Sequence, residues 1–177
     1  MIQVPLEFGP AGWWKPTLIL FGIVVVCYLL MWRGWKRRAK KHDLAPLVEI
    51  PNVKDLPPAK LDSAARYFGT TVAGDWLDRV VAQGLGARSS CRIRLSDEGI
   101  DVVRMAGSFR IAATALRGAR HDQGIAGKVV PPHGLLVVTW THGDYTLDTG
   151  FRLTDATTES HNEWVRKIGK IAKKEAA

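Results

Sequence analysis

The sequence is short of most things that staple or equip a small catalytic domain. It has only two cysteines, Cys27 and Cys91. One lies inside a long apolar run and the other in a segment of alternating polarity, so they cannot meet and no disulfide framework exists. That suits a chain facing a reducing compartment. The five histidines, His42, His121, His133, His142 and His161, are scattered. None stands at a ligand spacing from a cysteine or carboxylate, so no metal site is expected. Acidic charge is scarce, with 17 Asp and Glu against 25 Lys and Arg and a formal net charge of +8. There is no internal repeat. Cations are also scarce ahead of the apolar run: only Glu7 and Lys15 are charged there, and no small-x-small cleavage site follows the run. A secretory signal peptide has the reverse order, so the run reads as a retained anchor.

What is present begins with that run. Thr17–Trp32 (TLILFGIVVVCYLLMW) carries no charge. A helix from Trp14 to Trp35 spans about 30 Å, one bilayer core, and the membrane segment is placed at 15–35. Pro16 suits a first helical turn. Trp13 and Trp14 mark one edge and Trp32 and Trp35 the other, as an aromatic belt does. The bland alternative, a buried core helix, does not explain the belt together with the basic cluster beside it. That cluster is Arg33, Lys36, Arg37, Arg38, Lys40 and Lys41, six of the 25 Lys and Arg. The positive-inside rule puts everything after it in the cytoplasm and residues 1–14 outside. The cluster accounts for most of the excess charge as topology and attraction to anionic lipid, about 1 kcal/mol per residue near the surface. The rest is only mildly basic, so nucleic-acid binding is not implied.

Residues 36–60 read as a cytoplasmic tether, first basic and then Pro-rich. Pro46, Pro51, Pro57 and Pro58 recur without helical periodicity, which gives a semi-extended segment of about 3 Å per residue. From residue 61 the texture is β. Strands are expected at 65–73, 90–95, 100–104, 109–112, 118–121, 135–140 and 144–153, with a turn at Ser96–Gly99 and a hairpin around His142-Gly143. Residues 75–86 connect the first two strands, 113–116 form one helical turn, and 124–134 form a loop. The period then changes. Trp164, Ile168 and Ile171 stand at helical spacing within 158–174. Thr158 or Ser160 is the expected cap, with acidic residues early and lysines late, as the helix dipole favours. The domain at 61–177 is therefore mainly β, a seven-stranded barrel or sandwich capped by a C-terminal α-helix. This is the pleckstrin-homology (PH)-like arrangement.

Several runs carry a closer resemblance: YFGTT at 67–71, GDWLDRV at 74–80, IAATALRG at 111–118, GIAGKVV at 124–130, LVVTW at 136–140 and LDTGFR at 147–152. In these the chain resembles small actinobacterial single-pass membrane proteins that carry a bacterial PH-like domain after one N-terminal helix. The likeness covers roughly residues 15–170. It implies a PH-like fold and a plasma-membrane location, and it carries over no catalytic residue. Members of that group have no established activity, and some bear the label transporter or export protein.

Asp148-Thr149-Gly150, in YTLDTGFRL, resembles the catalytic loop of aspartic proteases. That chemistry needs two aspartates sharing one proton. No second D-[ST]-G occurs, and 27 residues follow Gly150. A homodimer supplies a second aspartate but not the missing downstream half. Alternation places Tyr145, Leu147, Thr149, Phe151 and Leu153 on one face and Asp148 and Arg152 on the other. Asp148 is then an outward or edge residue, and Gly150 a bulge or a close approach by a helix. Gly124–Val129 (GIAGKV) resembles the end of a phosphate-binding loop, but Asp122 and Val129 replace its first glycine and its hydroxyl residue. It reads as an inter-strand loop in which Lys128 is an anion contact. His121-Asp122 with Ser89, Ser90 or Cys91 has no spacing that supports a nucleophile set.

The arginines are the one constellation of interest. Arg92 and Arg94 share a strand face and Arg104 lies on the paired strand, so Arg92, Arg94 and Arg104, with Lys128, are the candidate anion or lipid-head contacts. The bland alternative is a solvated face balanced by Asp97, Glu98 and Asp101. The sequence thus predicts a non-enzymatic, cofactor-free, membrane-anchored interaction module, single-pass with its N-terminus outside. Its expected partners are the bilayer, anionic lipid, a membrane or cytoplasmic protein, or a second copy. The alternative is an accessory subunit of a transport or envelope assembly. One helix without a G-x-x-x-G face needs partners for that.

Overall fold

A computed structural model describes residues 14–41, 44–50, 56–132, 134–154 and 157–175. Trp13 and the rest of the expected outer N-terminus, His42, Pro51, Val53 and His133 lie outside the described residues, as do the side chains at 38–41. The chain divides into two compact units, Met1–Lys41 and His42–Ala177.

The described residues of the first unit form one helix, α1 (Trp14–Lys41). It contains a stretch, Trp14–Arg37, long and apolar enough to cross a membrane, and none of its apolar window is buried. The helix does not stop at residue 35, before the tether expected at 36–60, but continues through the basic residues. Lys, Arg and Ala are good helix formers, and cations at a C-terminal end complement the dipole. Lys36 also folds back over Trp32, its ammonium 4.5 Å from the ring centroid.

The second unit is built on one antiparallel sheet of eight strands, ordered β1-β5-β4-β3-β2-β10-β9-β6. Its seven principal strands are β2 (Leu61–Val72), β3 (Ser89–Ser96), β4 (Gly99–Arg104), β5 (Phe109–Ala112), β6 (Leu116–Asp122), β9 (Leu135–His142) and β10 (Tyr145–Leu153). The eighth, β1 (Val48–Glu49), comes from the tether and pairs with β5. Long β2 is shared: its first half pairs with β3 and its second with β10. It starts at Leu61, before the Ala65 expected, because Asp62 and Ser63 continue the ladder opposite Arg94 and Ile93.

The inner face is apolar and aromatic. Tyr67, Phe109, Trp140, Phe151 and Trp164 are fully buried, and Tyr67 meets Phe109 and Phe151 edge-on with centroids 6.4 and 5.8 Å away. Helix α2 (Thr158–Glu175) closes this core with Trp164, Ile168 and Ala172. Its cap is Thr157, not Thr158 or Ser160: the Thr157 hydroxyl accepts from the Ser160 N–H at 3.3 Å. A cap residue sits half outside its helix.

The segment expected to be a plain loop holds a small hairpin, β7 (Gly124–Ile125) and β8 (Lys128–Val129). Its two turn residues, Ala126 and Gly127, have φ of 51° and 70°, the left-handed pair that two-residue hairpins require. An alanine in that conformation is uncommon, which hid the turn. The hairpin covers part of the sheet's outer face. Phe68, Ile125, Ala126, Leu135 and Val137 form a second, smaller core there.

Candidate functional site

The register of β3 on β4 decides which arginines share a surface. Arg92 stands opposite Val103 and Arg94 opposite Asp101, so Arg104 falls opposite Cys91 on the inner face. This corrects the expectation of an arginine trio. Arg104 is buried, with its guanidinium 4.4 Å from the Tyr67 ring centroid and 5.0 Å from that of Phe109. Its Nε donates to Gly107 O at 2.8 Å. Burial pushes its neighbours up, the Tyr67 hydroxyl to about 12 and the Cys91 thiol to about 11. Both are neutral around Arg104, which packs as an amphipathic core side chain.

Arg92 and Arg94 do share the outer face, as their spacing requires. Both are occupied by one carboxylate from β2: Arg92 Nε meets Asp62 at 2.6 Å and Arg94 Nε meets it at 3.4 Å. The expected balancing acids serve elsewhere, Asp101 and Glu98 on Arg110 and Asp97 on Lys60. Lys128 is exposed on β8 and stands apart from the arginines. Arg33, Lys36 and Arg37 are exposed on the last turns of α1.

The DTG segment folds into a polar joint between strands. Asp148 lies on the outer face, as alternation placed it, but is only 4% exposed. It accepts from Arg120 Nη2 at 2.8 Å and from the Thr139 hydroxyl at 2.6 Å, which ties β10 to β6 and β9. The Asp148 bond, aided by Asp122, holds the Arg120 guanidinium above its ordinary range. Thr149, on the other face, accepts from Trp140 Nε1 at 2.9 Å and meets the Thr70 hydroxyl at 2.8 Å. At Gly150 the register shifts as a bulge. The close approach there comes from the hairpin and not from a helix: a Cβ on Gly150 would lie 2.6 Å from Ile125 Cγ2. A depression of about 350 Å³ opens above Asp148, walled by Trp76, Arg120, Asp122, Ile125 and Val129. Arg120 in it is already shared by two carboxylates, Asp148 and Asp122.

A second depression, of about 480 Å³, lies on the uncovered part of the outer face. Arg66 and Arg152 both line it, with Ala64, Ser90 and Thr154. Arg152 on β10 stands directly opposite Arg66 on β2, which in turn stands opposite Ser90 on β3. Sequence reasoning did not bring these residues together. No local signal links Arg66 to Arg152; only the β2–β10 register does.

The imagined nucleophile set is not assembled. His121 lies on β6, four places along the sheet from β3, which carries Ser89, Ser90 and Cys91. His121 Nε2 is 2.9 Å from Asn162 Oδ1 on α2, and its ring stands 6.0 Å from that of His161. Among the described residues no three His, Cys, Asp or Glu side chains converge as metal ligands.

No curated protein is similar enough to the chain to match it. The family model described as Bacterial PH domain-like matches residues 45–169. That stretch is more than half of the chain and runs from before β1 into α2. The chain belongs to the bacterial PH domain-like family.

Proposed function

We propose that this protein is a non-enzymatic interaction module, anchored by α1 in the plasma membrane with its PH-like domain on the cytoplasmic side, where it engages anionic lipid head groups or docks a protein partner. One observation carries the reading: an uncovered apolar helix ending in cations stands on the same chain as a domain of this family. Cations at the cytoplasmic end follow the positive-inside rule and attract anionic lipid. The domain's interior is filled by its own aromatic side chains, so recognition falls to its surface. The non-enzymatic reading is supported by the way the buried reactive groups are used. Asp148 and Asp101 are committed to Arg120 and Arg110, and Cys91 and Tyr67 are held neutral. Arg92 and Lys128 remain exposed surface cations, whereas Arg104 serves the core.

Protease added outside intact spheroplasts tests the orientation. Residues 61–177 are expected to stay intact until the membrane is opened, and cleavage in intact spheroplasts overturns the reading. Replacing Lys36 and Arg37 by glutamate is expected to mix the topology.

A further inference from the structure

Among the described residues, the carboxylates on this face of β2, β4 and β10 are all engaged, and one pair of arginines between them is not. Near the β3–β4 turn, Asp62 serves Arg92 and Arg94, and Asp101 and Glu98 serve Arg110. At the other end of β10, Asp148 and Asp122 serve Arg120. Between these two neutralised regions stand Arg66 and Arg152, both exposed and directly opposite each other on neighbouring strands. Among the described residues neither meets a carboxylate. Like charges placed opposite each other in an antiparallel pair destabilise it. The nearest same-face carboxylates along their own strands are Asp62 and Asp148, each four residues away, roughly 13 Å at strand rise, and both are engaged. A third cation adjoins the site: the Arg88 guanidinium lies 4.3 Å from the centroid of the Phe68 ring, on the next outer-face position of β2.

We infer that Arg66 and Arg152 form a binding site for a phosphate monoester, seated in the depression they share with Ser90 and Thr154. Two guanidinium forks carry two positive charges. A monoester carries about −1.5 to −2 at neutral pH and offers oxygens that match the forks. A carboxylate would offset only half of that charge. The Ser90 and Thr154 hydroxyls supply further donors. Ala64, between the two neutralised rows, leaves the depression open. The backbone beneath is fixed, since the Thr154 N–H donates to Ala64 O at 3.0 Å. The site rests on the interaction-module reading and gives it a ligand class. The monoester is either a lipid head group or a free phosphate compound.

The test uses the full chain in phosphatidylcholine nanodiscs and reads the thermal midpoint of the domain. Glycerol 3-phosphate is titrated against chloride at matched ionic strength. In a second arm phosphatidic acid replaces part of the phosphatidylcholine, with phosphatidylserine as the charge-matched control. At about ten times its dissociation constant the ligand should raise the midpoint by roughly 4 °C. Arg66→Gln and Arg152→Gln should each bind about tenfold more weakly or worse, Arg152→Lys should be intermediate, and Arg92→Gln should behave as wild type. A rise with glycerol 3-phosphate identifies a soluble source, and a rise only with phosphatidic acid a lipid source. No rise in either arm overturns the site, as does a rise undiminished in both Gln variants. A rise lost only in Arg92→Gln moves the contact to Arg92, overturning this site while leaving the interaction-module reading intact.

Discussion

Asp148 and Arg152 lie on the same face of the same strand, and they have opposite surroundings. Toward Asp148 the face is partly covered by the β7–β8 hairpin, which sits on Phe68, Leu135 and Val137 beside the depression over Asp148. There the charge is buried and has its arginine at 2.8 Å. At Arg152 the roof is gone, the face is open, and the residue opposite is a second arginine. On this strand face charge placement thus follows coverage. The buried carboxylate, which would cost several kcal/mol unpaired, is matched by an arginine. Where water reaches, mismatch costs only tenths of a kcal/mol and can be kept for a ligand.

The comparison is broken most forcefully at the roofed end. Arg120→Ala leaves the Asp148 carboxylate buried with only the Thr139 hydroxyl. Breaking a buried pair costs about 3–5 kcal/mol; Arg120 is itself half exposed, so about 2–3 kcal/mol is expected here. Chemical denaturation of the full chain measures it, with Arg92→Ala as the reference for an exposed ion pair, expected below about 1 kcal/mol. Equal costs for the two variants would mean that the roof does not shield Asp148.

The roof itself can be tested at Gly150, between the two ends. An alanine there drives its Cβ against Ile125 and should cost about 1–3 kcal/mol by overpacking. The cost should largely vanish in an Ile125→Ala background, because the two residues are in contact and their effects cannot add. Additive costs would detach the hairpin from the strand.

The charges are best compared above the range where histidine titrates. His161 faces His121 across the α2–β6 contact, and desolvation, then the His121 charge, hold its pKa below the usual histidine value. Its folded form therefore binds fewer protons than its unfolded form. Its contribution to stability is complete above about pH 6.5 and declines as the pH falls below that, no more steeply than about 1.4 kcal/mol per unit. His161→Phe should flatten that acid limb. An unchanged slope would assign the limb to another group.

Much of the fold was legible because it is local. Trp164, Ile168 and Ile171 announce α2, and the turn at Ser96–Gly99 and the hairpin around His142-Gly143 were also read from local signals, the latter turning one residue later, at Gly143-Asp144. Alternation also put Asp148 on the face opposite Leu147 correctly. It could not show that this face is roofed, because the roof depends on a turn through Ala126 with positive φ. It could not show that Arg104 points inward either, because the parity of β4 against β3 is set by their register. The arginines of the open end are still further from view. Arg66 and Arg152 come from the first and last principal strands, and a one-residue slip between those strands would part them.

The smallest expected effect has the most informative sign. Removing a charge at the roofed end destabilises the domain; removing one at the open end should stabilise it. Arg152→Gln relieves the repulsion from Arg66 and should add about 0.2–1 kcal/mol in dilute buffer free of phosphate. Both side chains are exposed, so salt should erode the gain as the screening length shortens from about 10 Å at 0.1 M to about 3 Å at 1 M. Arg66→Gln should give a gain of the same size, and the double variant little more than either alone, because only one repulsion exists to remove. A loss of stability in either single variant would mean that Arg152 and Arg66 pack usefully on their own strands and do not strain each other.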